Sequence, residues 1–470
     1  NKVVSYKIEG TGLVHEDQNI NTNQYQETIL NGADPIIKDE LIAVTIEDDG
    51  TVKKADTTKP WYSYENKEWA NAIILKDEST ASNYTNGSII PEEAIESYFV
   101  WIPKYRYQLW DLGEYQDLTE IDTNKVHEIP IIFGDYNTND SVNGECTTPM
   151  ESGETGNCQI GDYMTHPAFL SIPSTGFWVG KFETGTTLTE NYNVRNGETI
   201  QIKPNVQSWR SIQVANAFYT SYDYKRNLDS HMMKNTEWGA VAYLQHSKYG
   251  SSTSVRINNN SNFITGYAAN NEPTCGYTAT NEECNRYCND GTCNTAYPNS
   301  VLASTTNNIT GIYDMSGGSW EYVMGVILDQ SGKPMSGRNS LKNSGFNGLF
   351  GCSNCDSDIS GLTELTNGYD FPNSKYYDTY SYATVDEQYQ RRILGDATGE
   401  MGPFNKKIYS NMTRRIGSWY NDISWFVSSG GAWFVRGEGY HIGFYGGIFA
   451  FSSNYANQNS SISFRLVLTP

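Results

Sequence analysis

The sequence predicts an α+β fold in which two helices pack on short, twisted antiparallel sheets interrupted by long loop insertions. Three observations predict it. Short β-branched and aromatic runs bounded by Gly, Asn and Ser recur along the chain: LIAVTI at 41–46, FVWI at 99–102, FWVG at 177–180, WFVR at 433–436 and FRLVL at 464–468. Two windows, 204–224 and 234–250, carry helical spacing instead. Between these elements lie long stretches rich in Gly, Asn, Ser and Thr, at 134–162, 251–300 and 329–400, which read as inserted loops.

The composition supports a packed chain. Of the 470 residues, 38% are hydrophobic and 19% charged, with 34 Tyr and 11 Trp, which supplies a large core and excludes a disordered class. The net charge of −21 repels phosphate backbones and anionic membrane surfaces, so nucleic acid is not an expected partner. No apolar run approaches the roughly 18 residues of a membrane span.

In chain order, residues 1–30 are polar and poorly patterned, an extended lead-in or stalk. Residues 31–95 form a small β-rich segment packed on the main domain, which occupies 96–470. The runs 41–46 and 51–55 make a hairpin turning at Asp49-Gly50. Residues 61–75 end as a buried strand. The run 97–110 reads as one strand with Phe99 and Trp101 on one face, Lys104 and Arg106 on the other. GFWVGKFETG at 176–185 is a further strand. In the first helical window Trp209, Ile212, Val214, Ala217, Phe218 and Tyr222 share a face, with Ser208 as N-cap; Thr236 caps the second, which Gly250 ends. The closing run alternates Ile462, Phe464, Leu466 and Leu468, a half-buried strand.

Eight cysteines fall in loop-like segments: Cys146, Cys158, Cys275, Cys284, Cys288, Cys293, Cys352 and Cys355. An even number in local groups points to disulfides that staple loops in an oxidising compartment, with Cys146–Cys158 the simplest pairing; connectivity stays open. Zinc at Cys352-Ser-Asn-Cys355 is the rival reading, without a nearby His. Asp356 and Asp358 leave room for a structural calcium, against a plain solvated acidic loop. Otherwise no metal or cofactor is expected.

The segment 418–470 combines two kinds of residue. One is a small and apolar frame; the other is polar or aromatic without period. The second kind comprises Tyr420, Asn421, Asp422, Ser424, Phe426, Tyr440, His441, Ile442, Phe444, Tyr445, Ser453, Asn454, Tyr455, Asn457 and Asn459. Tyr gives contact area at low entropic cost, while Ser and Asn give adaptable hydrogen bonds, so these are the candidate ligand-binding residues.

The ordered motifs FWVGKFETG, PNVQSW, TEWGAVAYL, GIYDMSGGSWEYV, WFVRG and SFRLVL resemble the formylglycine-generating-enzyme type of C-type lectin fold, over about residues 95–470. The resemblance implies that TEWGAVAYL lies on the second helix, that Gly317 and Gly318 make a positive-φ turn, and that Trp320 and Trp433 anchor the core. Glu321 is then expected to hydrogen-bond core backbone rather than to act as a catalytic acid. Enzymes of that type act through a late cysteine pair. Here no cysteine follows Cys355, and His441 is the only histidine after His246, so the expectation is a protein that is not an enzyme. The C terminus resembles instead the variable proteins diversified by retroelements. Those are ligand binders whose scattered positions change at Asn codons; the fifteen residues above fit such changes, whereas Glu438 and Gln458 do not.

The expected function is that of an extracellular, cell-surface or virion-borne adhesin or receptor-binding protein with a protein or glycan ligand. A structural subunit of a pilus or tail fibre with a lectin-type head is the alternative, and a formylglycine-generating-type oxidase the second. If the protein is fixed to a cell or particle, a core strand at 462–468 puts the attachment on the N-terminal side and turns the 418–470 face outward.

Overall fold

The computed structural model describes residues 3–9, 12–18, 30–38, 40–110, 126–135, 145–146, 160–171, 174–257, 297–328, 344–346, 372–380, 393–401, 418–428, 431–438 and 446–470. For 3–9, 12–18, 145–146 and Asn421 only the backbone is described. The architecture is mixed α and β, with several small, mainly antiparallel sheets and few helices.

The largest sheet has seven strands, all paired antiparallel, in the order His231–Met232, Leu466–Leu468, Gly176–Gly180, Ile95–Pro103, Asn71–Leu75, Ile42–Ile46 and Val52–Lys54. The turn at Asp49-Gly50 joins its last two strands as expected, and Gly50 supplies the positive φ of +87°. The segment 31–95 therefore extends the main sheet with its own strands. Two indoles fasten its start: Trp101 Nε1 donates to the Ala33 carbonyl and Trp178 Nε1 to that of Ile36, both at 2.9 Å. These two rings pack 5.2 Å apart.

Residues 97–110 do not form one strand. The chain leaves the large sheet after Pro103, and Tyr105–Gln108 enters a four-stranded sheet between Ile131–Phe133 and Tyr163–Thr165. Lys104 and Arg106 are consequently buried rather than on a solvated face. Ile95–Pro103 is covered on both faces, and its continuous apolar run is what a central strand needs.

The lead-in contains a hairpin, Val3–Glu9 against Gly12–Gln18, where the sequence suggested an unpatterned stretch. Helix α1 is Val214–Tyr224 and helix α2 is Asn235–Gln245. Ser208 lies outside α1 and caps nothing; its hydroxyl donates to Glu183. Thr236 lies inside α2. The cap comes from a distant strand: Asp378 Oδ2 accepts the Thr236 N–H at 2.7 Å and Oδ1 its hydroxyl at 3.1 Å. Glu237 Oε2 accepts the Lys234 N–H at 2.8 Å, so two carboxylates satisfy this helix start. The helix ends at Gln245, five residues before Gly250. All eleven of its residues are buried, which is why its apolar spacing is blurred.

The second major sheet carries the candidate face. Trp320–Ile327 is its spine, flanked by Asp378–Tyr380 in parallel and by Trp433–Arg436 antiparallel, with Phe451–Asn454 at the edge and Ile462–Phe464 also pairing the spine in parallel. The terminal run is thus not a half-buried strand. It pairs with this sheet up to Phe464, crosses at Arg465, and joins the seven-stranded sheet at Leu466. Every residue from Ile462 to Thr469 is buried.

Candidate ligand-binding face

Gly317 and Gly318 take φ of +80° and +76°, as the GGSW turn demands, and lead into the spine. Trp433 is buried, but Trp320 stays half-exposed at the spine's start. Among the described residues Glu321 has no backbone partner. It receives Arg465 in a bidentate pair, Nη2 to Oε1 at 2.6 Å and Nε to Oε2 at 2.9 Å, while Arg465 Nη1 reaches the Gly180 carbonyl at 2.8 Å. The backbone acceptor is Glu183, whose Oε1 takes the Ser319 N–H at 2.7 Å. Asp314 Oδ2 accepts the Glu183 N–H at 3.4 Å. Three carboxyls thus share one arginine at full burial. Burial pushes Glu183 and Glu321 above the usual carboxylate range and raises Asp314 to about 7. This cluster locks the terminal segment to both sheets beneath the face.

On that base the sequence-predicted residues divide into three groups and a separate turn, Tyr420-Asn421. Asp422, Ser424 and Phe426 point inward. Asp422 Oδ2 accepts the Phe449 N–H at 3.0 Å, and a Cβ on Gly447 would sit 1.9 Å from that same oxygen. Ser424 bridges Phe451, and Phe426 meets Tyr380, Phe434 and Phe451 edge to face. These three are buried in the frame beneath the face rather than exposed on it. Their polar or aromatic character served packing, which composition does not separate from binding.

The second group faces outward. Ser453, Asn454, Tyr455, Asn457 and Asn459 are all half-buried. They run off the edge strand and across the start of α1, where the Ala456 carbonyl accepts the Val214 N–H at 3.3 Å and the Asn459 carbonyl that of Ser211 at 2.8 Å. Tyr322 pins the ridge from below. Its hydroxyl donates to Asn454 Oδ1 at 2.7 Å and to the Asn457 carbonyl at 2.9 Å. Asn459 Oδ1 accepts the Ser461 N–H at 2.8 Å. Half-buried polar side chains are thus held on a buried frame. Gln458 and Ser460 on the same ridge are exposed, although the codon argument set Gln458 aside and never weighed Ser460.

Tyr420 stands apart. Its φ of +62° is the left-handed region, where a bulky residue is strained. Its ring stacks on Phe449 and its hydroxyl meets His246 Nε2 at 2.5 Å. Burial lowers the His246 pKa to about 4, so this imidazole is neutral at physiological pH. Asn421 contributes backbone to the same turn. Trp110 and His127 line this corner too, from elements far from the C terminus. Sequence reasoning passed over both, and no local signal marks them.

The third group, Tyr440, His441, Ile442, Phe444 and Tyr445, lies outside the described residues. So do Cys158, Cys275, Cys284, Cys288, Cys293, Cys352 and Cys355, the Cys146 side chain, and the Asp356 and Asp358 considered for calcium. Glu438, excluded on codon grounds, is buried with φ of +80°. Among the described residues no group of three His, Cys, Asp or Glu is placed to hold a metal ion. Among them, too, no helix is long and apolar enough to cross a membrane.

A scan against family models and a search of curated proteins return no match to this chain.

Proposed function

We propose that the chain is a surface-displayed binding protein, an adhesin or receptor-binding protein, that contacts its ligand through the ridge 453–459 and the Tyr420 corner. The scaffold is read as a C-type lectin fold of the formylglycine-generating-enzyme type in a non-enzymatic branch. The pairing of Gly176–Gly180 with Leu466–Leu468, which ties the first of the lectin-like motifs to the last, supports that reading. So does the order of the motifs along the chain. The observation that carries the function is the division of labour on one sheet. Trp433–Arg436 is wholly buried, whereas Ser453, Asn454, Tyr455, Asn457 and Asn459 on the adjoining edge and ridge are half-exposed and rich in Asn, Tyr and Ser. Retroelement diversification of the outward positions, and an extracellular or virion location, belong to the same proposal. The net charge of −21 sets nucleic acid aside as the ligand.

The test is binding of fluorescently labelled protein to a panel of intact cells, read by flow cytometry beside a Tyr455→Ala/Asn457→Ala variant. The proposal expects staining of some cells and its loss, by about tenfold or more, in the variant at an unchanged melting temperature. Staining that the variant retains in full would remove the ridge from the function.

A further inference from the structure

Trp320 is the one residue of the spine Trp320–Ile327 that is not buried. Its backbone is nevertheless fixed on both sides. The Gly317-Gly318 turn precedes it, Glu183 Oε1 takes the Ser319 N–H at 2.7 Å, and the Ser461 carbonyl takes the Trp320 N–H at 3.0 Å. The next residue, Glu321, is clamped by Arg465. Trp320 pairs with Ile462, whose N–H donates to the Asn459 carbonyl at 3.3 Å. Trp320 and Tyr322 lie two apart on one strand, so their side chains leave the same face of the sheet. Tyr322 is covered by the ridge, and its hydroxyl meets Asn454 and Asn457. Trp320 therefore stands on the ridge's own face, at the end where 459–461 turns back into the sheet.

The Trp320 indole has no structural partner. Trp69, Trp101, Trp178, Trp209 and Trp238 each donate the ring N–H to a backbone carbonyl. The Trp320 N–H makes no such bond among the described residues, and it is not shut away from solvent as those of Trp419 and Trp433 are. No aromatic ring among the described residues packs against it. Apolar residues exposed singly are common and by themselves mean nothing. Three features set this one apart: a backbone held in place, an open N–H, and a position beside a row of half-exposed Asn and Ser. A large ring on a fixed backbone gives up little further freedom on binding.

We infer that Trp320 is the anchor of the contact face and that its partner is a protein. The indole enters a recess on the partner's surface, and its N–H donates to an acceptor there. Ser453, Asn454, Asn457 and Asn459 form the polar rim that keeps water from the anchor. The occupant is a protein because the ring stands alone. Small-ligand sites are concave, with several polar groups converging, whereas a lone protruding ring is a knob for a hollow on a partner. The inference rests on the binding-protein reading, and it places the energetic centre outside the segment 418–470.

The test uses intact cells that the labelled wild-type protein stains, with Trp320→Ala and Tyr455→Ala/Asn457→Ala as variants and melting temperatures recorded for each. Cells are also stained after surface proteolysis and, separately, after periodate oxidation of their glycans. Hydroxyl-radical footprinting read by mass spectrometry compares wild type free and bound to cells. The expected result is staining weakened about tenfold or more by Trp320→Ala at an unchanged melting temperature. Proteolysis of the cells should abolish staining and periodate should spare it. Trp320 should be oxidised in the free protein and protected on cells. Full staining by Trp320→Ala overturns the anchor. So does equal oxidation of Trp320 in both states, a readout that holds even where the variant melts lower. Staining that periodate abolishes and proteolysis spares overturns the protein partner. If only the Tyr455→Ala/Asn457→Ala variant loses staining, the binding reading stands and the anchor falls. A panel on which no cell is stained removes both.

Discussion

Replacing Asp314 with asparagine should stabilise the protein at pH 8 and leave it nearly unchanged at pH 4. Asp314 is fully buried beside Glu183 and Glu321, and burial lifts its pKa from 3.8 to about 7. A carboxyl raised in this way holds its proton in the folded state at a pH where the unfolded chain has released it. The folded state therefore binds more protons at this site, and the site's contribution to stability falls as pH climbs from about 4 to about 7, then levels. A shift of roughly three units is worth about 4 kcal/mol on the basis of 1.36 kcal/mol per unit. Asparagine cannot ionise. It tolerates the left-handed φ of +66° found here and keeps an oxygen for the Glu183 N–H. Urea denaturation from pH 4 to 8.5 should show a difference between variant and parent that grows with pH and reaches about 2–4 kcal/mol in the variant's favour at the alkaline end. Some slope remains in the variant, because burial also raises Glu183. A variant less stable than the parent at pH 8, or one with an unchanged slope, would refute the reading of a protonated buried acid.

Three further outcomes follow from the same packing. Arg465→Leu strands Glu321 as an unpaired buried acid and should cost about 3–5 kcal/mol in thermal or urea unfolding; a loss below 1 kcal/mol would mean the pair is dispensable. Gly447→Ala drives a methyl into the Asp422 carboxylate and should destabilise by about 1–3 kcal/mol, whereas an unchanged melting temperature would show that the turn yields freely. If a retroelement diversifies this gene, a near-identical copy of the 418–470 coding segment should lie beside a reverse transcriptase gene. Its adenine-dependent differences should fall in codons of outward residues such as Ser453, Tyr455 and Asn457; differences clustered at Phe434 or Arg436 would contradict it.

Much of the frame was legible because its cues are local. The Asp49-Gly50 turn, the run Gly176–Gly180 and the strand Trp433–Arg436 each declare themselves within a few residues. What sequence reading missed depends on partners far along the chain. Asp378 caps α2 from 142 residues away, so the nearer Thr236 attracted the assignment. Alternation predicted one solvated face for 462–468, but that rule presumes a strand with one covered side; this segment is enclosed by two sheets. Arg465 finds its partner in Glu321, 144 residues earlier, a pairing that no local signal announces. In the candidate site the mixture of Asn, Tyr, Ser and Asp was visible, but side-chain direction was not. That is why Asp422, Ser424 and Phe426 were grouped with residues that face outward, and why Trp110 and His127 were passed over.

The most direct measurement is an alanine scan of the candidate face in which ligand affinity and melting temperature are both recorded for every variant. The outward set is Tyr420, Ser453, Asn454, Tyr455, Asn457 and Asn459; the inward set is Asp422, Ser424 and Phe426. The account predicts that Tyr455→Ala and Asn457→Ala lower affinity while melting like the parent. It predicts that Phe426→Ala lowers stability by about 3 kcal/mol or more, as truncation of a buried aromatic does. An outward set that binds as tightly as the parent, or that loses affinity only in step with stability, would contradict the claim that this face is built for contact.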